Sequence, residues 1–130
     1  MQLPLFELTS DWRPPALSEL PEWAGCKRIG LDIETCDPNL KATGPSVRTG
    51  GFICGVSFAL EDGPAFYLPT RHYVGDNLDE QAVLNYLCAQ AAQYTGVIVG
   101  ANFNYDLDYL AQVGIIFGRV ARQRDVQIAD

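Results

Sequence analysis

The chain has 130 residues, of which 48% are hydrophobic, and a formal net charge of −7. This length and composition fit one globular domain with a substantial core, and they exclude an intrinsically disordered chain. No apolar run approaches the roughly 18 residues of a membrane-spanning helix, so we expect no membrane partner. The negative charge argues against a protein that binds nucleic acid through overall charge, but it is compatible with an enzyme that holds a strand end through few contacts and metal ions.

The N-terminal residues 1–25 are punctuated by prolines, as in the run WRPPALSELPEW. Proline restricts the backbone to extended conformations and interrupts helices and strands. We therefore expect residues 1–25 to form an extended arm that packs on a domain spanning residues 26–130. The arm has no basic flank followed by a long apolar region, which a secretion signal requires, so we expect a cytoplasmic protein.

The first predicted strand, residues 27–34, overlaps the decapeptide RIGLDIETCD at residues 28–37. Its apolar residues alternate with Gly30, Asp32 and Glu34, which is the period of a strand with one buried face. Two like charges at the end of a half-buried strand repel each other and are costly to desolvate. Asp32 and Glu34 therefore require either water or a cation.

The remaining elements indicate an α/β domain. A hairpin followed by strands linked through helices predicts a mixed sheet, with strands 1–3 antiparallel. In chain order we expect an irregular loop at 37–51 and paired strands at 51–60 and 64–69. A helix follows, capped by Asn77 with Glu80 in the capping-box position. After it we expect a strand at 97–100, a helix at 102–114 and a last strand over 124–130.

The second predicted helix carries a third acid, Asp106. At 100° per residue, Asp106 lies within about 60° of Phe103 and the other apolar residues of this helix, whereas Asp108 points to the opposite side. Ligands of such folds gather at the carboxyl ends of the central strands, where Asp32 and Glu34 lie. Three acids converging there indicate an oxygen-ligated divalent cation, Mg²⁺ or Mn²⁺.

The segments LDIET, GFICGVSFALEDGPAFYLP, GANFNYDLDYL and DVQIAD resemble, in order and spacing, the 3′–5′ proofreading exonuclease domain of family A DNA polymerases. The versions found in bacteriophages, within the DEDD superfamily, are the most similar. The resemblance covers about residues 27–130 and implies a ribonuclease-H-like fold. It also implies hydrolysis at the 3′ end of single-stranded DNA by a two-metal mechanism, in the cytoplasm of a bacterial or infected host cell.

The resemblance further implies roles for five residues. Asp32, Glu34 and Asp106 match the catalytic metal ligands, with Asp32 bridging two ions. Thr35 matches a position whose backbone holds the 3′-terminal nucleotide, and Asn102 matches a residue that lines the cleft for the penultimate nucleotide. Two alternatives stay open, since Thr35 also fits the end of a strand and Asn102 also fits the cap of its helix.

The fourth acid of this family lies in a Tyr-x-x-x-Asp motif beyond the last strand, and this sequence has no such motif: Tyr105 and Tyr109 have no Asp four residues on. We therefore expect a domain that is incomplete at its C-terminus, with an open sheet face. This face is available for self-association or for the polymerase domain of the same parent protein. The alternative is a catalytically inactive ribonuclease-H-like binding or interaction module.

Overall fold

The computed structural model describes residues 10–128, which contain five strands and three α-helices. The strands are β1 (Arg28–Cys36), β2 (Phe52–Leu60), β3 (Ala65–Pro69), β4 (Val97–Gly100) and β5 (Arg122–Asp125), and the helices are α1 (Leu40–Thr43), α2 (Glu80–Gln93) and α3 (Phe103–Gln112). No helix in this part of the chain is long and apolar enough to cross a membrane.

The five strands form one sheet in the order β3-β2-β1-β4-β5. The pairs β3–β2 and β2–β1 are antiparallel, whereas β1–β4 and β4–β5 are parallel. The parallel pairs arise because α2 and α3 return the chain to the same end of the sheet before the next strand begins. The predicted α/β mixed sheet is confirmed, and its strand order is compatible with a ribonuclease-H-like fold.

The core lies on the face of the sheet that carries Ile29, Leu31 and Ile33, all of which are buried. The described part of the predicted arm contributes Trp23, which is fully buried at 0% exposure. The Trp23 backbone N–H donates to Gln90 Oε1 at 2.9 Å, so the arm is joined to α2 by hydrogen bonding as well as by packing. Residues 1–9 lie outside the described residues, and the division at residue 26 stays a prediction.

The opposite face of the sheet is open. Small or apolar residues on four strands line a shallow depression of about 380 Å³ on this face, among them Gly30, Ala59, Ala65 and Val99. Asp32 lies on the same face, since it is exposed while its neighbours along β1 are buried. The carboxylates of the first strand therefore lie on the face of the sheet that no helix of residues 10–128 covers.

The cap of α2 differs from the prediction. Asp79 is the capping residue, and its Oδ1 accepts the backbone N–H of Ala82 at 2.8 Å. Asn77 closes the preceding loop instead: its side chain accepts the backbone N–H of His72 and donates to the His72 carbonyl, both at 2.9 Å. The predicted Asn77 cap is wrong because Asn77 lies three residues before α2 starts and its side chain is bonded to the backbone of His72.

Two other predicted boundaries also differ. The region 37–51 contains α1 and a 3₁₀ turn at Val47–Thr49, so it is more regular than the predicted loop. The strand predicted over 124–130 is β5 at Arg122–Asp125, followed by a turn. β5 is short because its partner β4 has only four residues to pair with it. Asp130 lies outside the described residues.

Candidate metal and active site

The candidate site lies where β1 extends past β4. β4 pairs with β1 only as far as Gly30, so the next residues of β1 have no strand partner on that side. Helix α3 contacts β1 there, and the backbone N–H of Ile33 donates a hydrogen bond to the Asp106 carboxylate. The sheet topology thus brings an acid of α3 to the strand that carries Asp32 and Glu34.

Asp106 is buried, with 4% of its surface exposed, and its Oδ2 atom has no hydrogen-bond partner. The predicted burial of Asp106 is confirmed, as is the exposure of Asp108. An ionised carboxylate in such a position is unfavourable unless a cation or a proton compensates the charge. The Oδ2 atom therefore marks a position where a positive group would be stabilised.

The pKa of Asp106 is raised to about 7, first by burial and then by the charge of Asp32 and a hydrogen bond shared with it. The charge of Asp125 adds to the rise, and the N–H of Ile33 opposes it. Two ionised carboxylates repel each other and cannot donate to each other, so protonation of Asp106 relieves the repulsion between Asp106 and Asp32.

Glu34 takes a different position from the one expected. It is exposed, its charge acts on Tyr67 and Cys54, and it does not contribute to the raised pKa of Asp106. The pairing of β1 with β2 shifts in register between Glu34 and Thr35. This irregularity interrupts the regular strand geometry beside Glu34. The structure therefore brings Asp32 and Asp106 together and places Glu34 toward the hairpin.

Asp32 and Asp106 provide some, but not all, of the oxygen ligands that a divalent cation such as Mg²⁺ needs. Across residues 10–128, no three His, Cys, Asp or Glu side chains are grouped closely enough to hold a metal ion. Mg²⁺ is commonly bound by one or two carboxylates, with water and substrate phosphate completing its coordination. Asp32 and Asp106 meet that requirement, because Asp106 offers a buried oxygen atom without a hydrogen-bond partner.

Thr35 is half-buried and belongs to a hydrogen-bonded group around Asp37. Its Oγ1 donates to Asp37 Oδ2 at 3.2 Å and lies 2.8 Å from the Tyr105 hydroxyl. Strand β1 continues to Cys36, so the alternative that Thr35 ends the strand is wrong. The predicted contact of its backbone with a 3′-terminal nucleotide stays a prediction.

Asp37 is a structural residue that was not among the predicted site residues. Its carboxylate accepts hydrogen bonds from the hydroxyl of Tyr109 and from the backbone N–H of Ser46, the latter at 3.0 Å. It therefore ties the end of β1 to both α3 and the segment that follows α1. The spacing of Tyr105 and Tyr109 on one helical face was a signal for this cluster, because residues four apart on a helix point the same way.

Asn102 has a left-handed backbone conformation, with φ 50° and ψ 48°, at the position just before α3. Its side chain makes no capping hydrogen bond, so its interpretation as a side-chain cap is wrong. The cap comes from Asp125, which accepts the backbone N–H groups of Asn102 at 3.1 Å and Phe103 at 2.9 Å. Asn102 is exposed, and its predicted role in lining a nucleotide cleft stays a prediction.

Asp125 is a second structural residue that was not predicted. It lies at the end of β5, and its pairing with Gly100 places it beside the start of α3. The N–H groups of Phe103, Gln127 and Asn102 lower the pKa of Asp125, so it is an anion at the positive end of the helix. Because α3 carries Asp106, Asp125 helps to fix the direction from which Asp106 reaches β1.

The fold and the paired acids define a carboxylate-bearing α/β domain compatible with ribonuclease-H-like proteins. No protein-family model matches the chain. A DNA-directed DNA polymerase of Pseudomonas phage M6 is 54% identical over 133 residues, covering 100% of this chain and 20% of that polymerase. The chain is therefore related to a phage DNA polymerase and spans about one fifth of the length of this relative.

Proposed function

We propose that this chain is the metal-dependent 3′–5′ proofreading exonuclease domain of a phage-type DNA polymerase, acting in the cytoplasm of the infected bacterial cell. The observation that carries the proposal is the meeting of Asp32 and Asp106, with a buried oxygen of Asp106 left without a partner. The relation to a phage DNA polymerase supports the biological setting. The pair lies where β1 extends past its pairing with β4, near the carboxyl end of β4, and the carboxyl ends of parallel strands are where α/β folds bind ligands.

In this proposal Asp32 and Asp106 hold the cation, while Glu34 acts from the neighbouring position on the open face. The Ile33 N–H orients Asp106, and the hydrogen-bonded Thr35 offers its backbone to the 3′-terminal nucleotide. When bound, Mg²⁺ or Mn²⁺ supplies the charge that activates water and neutralises the leaving oxygen of the phosphodiester. Substrate selection rests on a frayed single-stranded 3′ end that fits beside the sheet.

The partners follow from the same proposal. The single-stranded 3′ end is the substrate, and the polymerase domain of the parent protein is the intramolecular partner. The related phage polymerase is about five times as long as this chain, which leaves ample room for such a domain there. Asn102, exposed at the start of α3, is the residue we assign to the penultimate nucleotide.

A second candidate function is a ribonuclease-H-like binding module without catalytic activity. The observation that favours it is the position of Glu34, which lies toward Tyr67 rather than beside Asp106. With two acids in contact instead of three, the described residues offer fewer ligands than a two-ion site requires. Binding without hydrolysis is the outcome that this candidate predicts.

The test is degradation of 5′-labelled single-stranded DNA by this chain in Mn²⁺, with Asp32→Asn as the inactive variant and Asp108→Asn as the matched control. Products that shorten from the 3′ end with wild type and Asp108→Asn, but not with Asp32→Asn, support the exonuclease. Absence of degradation, with Mn²⁺ binding that Asp32→Asn abolishes, favours the non-catalytic module. Absence of both degradation and Mn²⁺ binding contradicts a metal site in this chain.

A further inference from the structure

A second depression, of about 450 Å³, lies between the first described residues and the loop that follows β3. Its lining includes three rings, those of Trp12, Tyr67 and His72, together with Arg13 and Asp76. Trp12 lies in the predicted arm, whereas Tyr67 lies on β3 and His72 lies in the loop that follows β3. In the structure they belong to one aromatic group, which we call the aromatic depression.

The rings of the aromatic depression are only partly covered. The Trp12 and Tyr67 centroids are 6.0 Å apart and the ring planes are tilted by 44°, so the two rings do not stack face to face. Trp12 is 51% exposed, whereas Trp23 in the core is 0% exposed. A half-exposed indole beside a second aromatic ring offers the flat apolar surface on which another ring system stacks.

The aromatic depression is held in place by hydrogen bonds and an ion pair. The Tyr67 hydroxyl is hydrogen-bonded to His72 Nε2, and Asn77 holds the backbone of His72 through two bonds of 2.9 Å. Arg13 Nε lies 3.7 Å from Asp76 Oδ2, which joins the arm to the loop after β3. A binding surface ordered in advance loses less conformational entropy when a ligand binds.

The aromatic depression adjoins the candidate active site. A Cβ atom on Gly55 would strike the ring of Tyr67, so this ring lies directly against Gly55. Gly55 is the β2 partner of Glu34. The charge of Glu34 also contributes, after burial, to the raised pKa of Tyr67. One strand spacing therefore separates the predicted metal ligand Glu34 from the aromatic rings.

We propose that the aromatic depression binds a nucleobase of the single strand whose 3′ end lies at Asp32 and Asp106, by stacking on Trp12 and Tyr67. This inference rests on the proposed function, because it assumes a single-stranded nucleic acid beside Glu34. Stacking suits a chain with a net charge of −7, since it does not depend on attraction of the phosphates. We therefore expect the contribution of Trp12 to binding to change little with salt.

The intrinsic fluorescence of the chain provides the test. The sequence has two tryptophans, and only Trp12 is exposed. We would titrate a ten-nucleotide oligothymidylate into the chain in EDTA and measure tryptophan emission, and measure affinity with a labelled copy of the same strand. The variant is Trp12→Ala, and the matched control is Tyr73→Ala. Tyr73 is an aromatic residue of the loop after β3 that is 99% exposed and does not line the depression.

We expect wild-type emission to be quenched, and the affinity of Trp12→Ala to fall about tenfold while Tyr73→Ala binds like wild type. Equal affinities of wild type and Trp12→Ala, or no binding of the strand by wild type, would overturn the proposal. Mn²⁺-dependent degradation separates the two proposals. If wild type degrades DNA and Trp12→Ala binds the strand as tightly as wild type, only the stacking proposal is contradicted. If binding depends on Trp12 but no DNA is degraded, only the exonuclease proposal is contradicted.

Discussion

Asp106 on α3 lies beside Asp32 on β1, and the charge of Asp32 adds to the effect of burial in raising the pKa of Asp106. Because Asp106 is 4% exposed, the energy of this contact depends strongly on what neutralises the two carboxyl groups. A proton on Asp106 does so when no metal is bound, and in the proposed function a bound cation takes its place. The proposal therefore predicts that the stability of the domain and its affinity for metal are linked through the Asp106 carboxyl group.

The first prediction concerns the pH dependence of stability without metal. Between about pH 4 and pH 7 the native chain keeps the Asp106 proton while the unfolded chain has lost it, so stability falls as the pH rises through this window. Asp106→Asn removes this loss, and we expect it to raise the free energy of unfolding by roughly 2–4 kcal/mol at pH 8. Urea denaturation in EDTA at a series of pH values measures the effect.

The matched control for this prediction is Asp108→Asn on the exposed side of the same helix. Asp108 accepts a hydrogen bond from Gln112 at 2.8 Å near solvent, so we expect its substitution to change stability little at any pH. An equal gain for both variants would show that the total negative charge, rather than the Asp106 site, limits stability. A gain for Asp106→Asn that persists at pH 3.5 would contradict the linkage to its proton.

The second prediction concerns the cap of α3. Asp125→Ala removes the acceptor for the N–H groups of Asn102 and Phe103, and we expect a lower melting temperature together with weaker Mn²⁺ binding. The pKa of Asp125 is lowered in the native chain, so its contribution is present above the unfolded pKa and is lost as the pH falls through the native value. Thermal denaturation and Mn²⁺ titration measure the two effects.

Asp79→Ala is the control, because Asp79 caps α2 in the same way through Ala82. We expect this variant to lower the melting temperature as well, but to leave Mn²⁺ affinity unchanged in the folded chain. The difference arises because only α3 carries Asp106. Loss of Mn²⁺ affinity in both variants would mean that general destabilisation, and not the direction of α3, explains the effect of Asp125→Ala.

The third prediction concerns the close packing around Asp37. A Cβ atom on Gly51 would collide with the Asp37 carboxylate and the Tyr109 hydroxyl, and would come within 2.6 Å of the Ser46 carbonyl. We expect Gly51→Ala to destabilise the chain by about 1–3 kcal/mol, the usual range for overpacking in a well-packed region. Gly30→Ala is the control, since nothing lies within 4 Å of its Cβ position. Equal stabilities of the two variants in urea would contradict the packing around Asp37.

The fourth prediction concerns the open sheet face, which we propose as a surface for self-association of the isolated chain. An uncovered apolar surface favours association, so we expect the mass to rise above one chain as concentration increases. Ala59→Arg places a charge on this face and should prevent the rise, whereas Gln81→Arg on the exposed side of α2 should not. A mass of one chain at every concentration in gel filtration would count against self-association.

The sequence predicted the elements that depend on local periodicity. Alternation along β1 placed Asp32 on the open face, and the 3.6-residue period of α3 predicted the burial of Asp106. The hairpin and the strand β4 followed from short apolar runs bounded by turn residues. These predictions succeeded because each depends on the periodicity of a few neighbouring residues, and this periodicity has the same structural meaning in many folds.

The sequence did not predict contacts between distant residues. Asp125 caps α3 from 22 positions away, and Asp37 accepts the Tyr109 hydroxyl across 72 positions, so neither pattern is visible in a local window. The position of Glu34 depends on a register shift, which the alternation of apolar residues does not reveal. Asn77 and Asp79 are both good caps, and only the loop contacts of Asn77 decide between them.

The measurement that tests the central claim most directly is Mn²⁺ binding at pH 7 by wild type, Asp106→Asn and Asp108→Asn, with proton release recorded in buffers of different ionisation enthalpy. If Asp32 and Asp106 hold a divalent cation, wild type and Asp108→Asn will bind Mn²⁺ and release a proton from Asp106, whose pKa is about 7, and Asp106→Asn will bind far more weakly and release none. Equal Mn²⁺ affinity and equal proton release in all three proteins would contradict the claim.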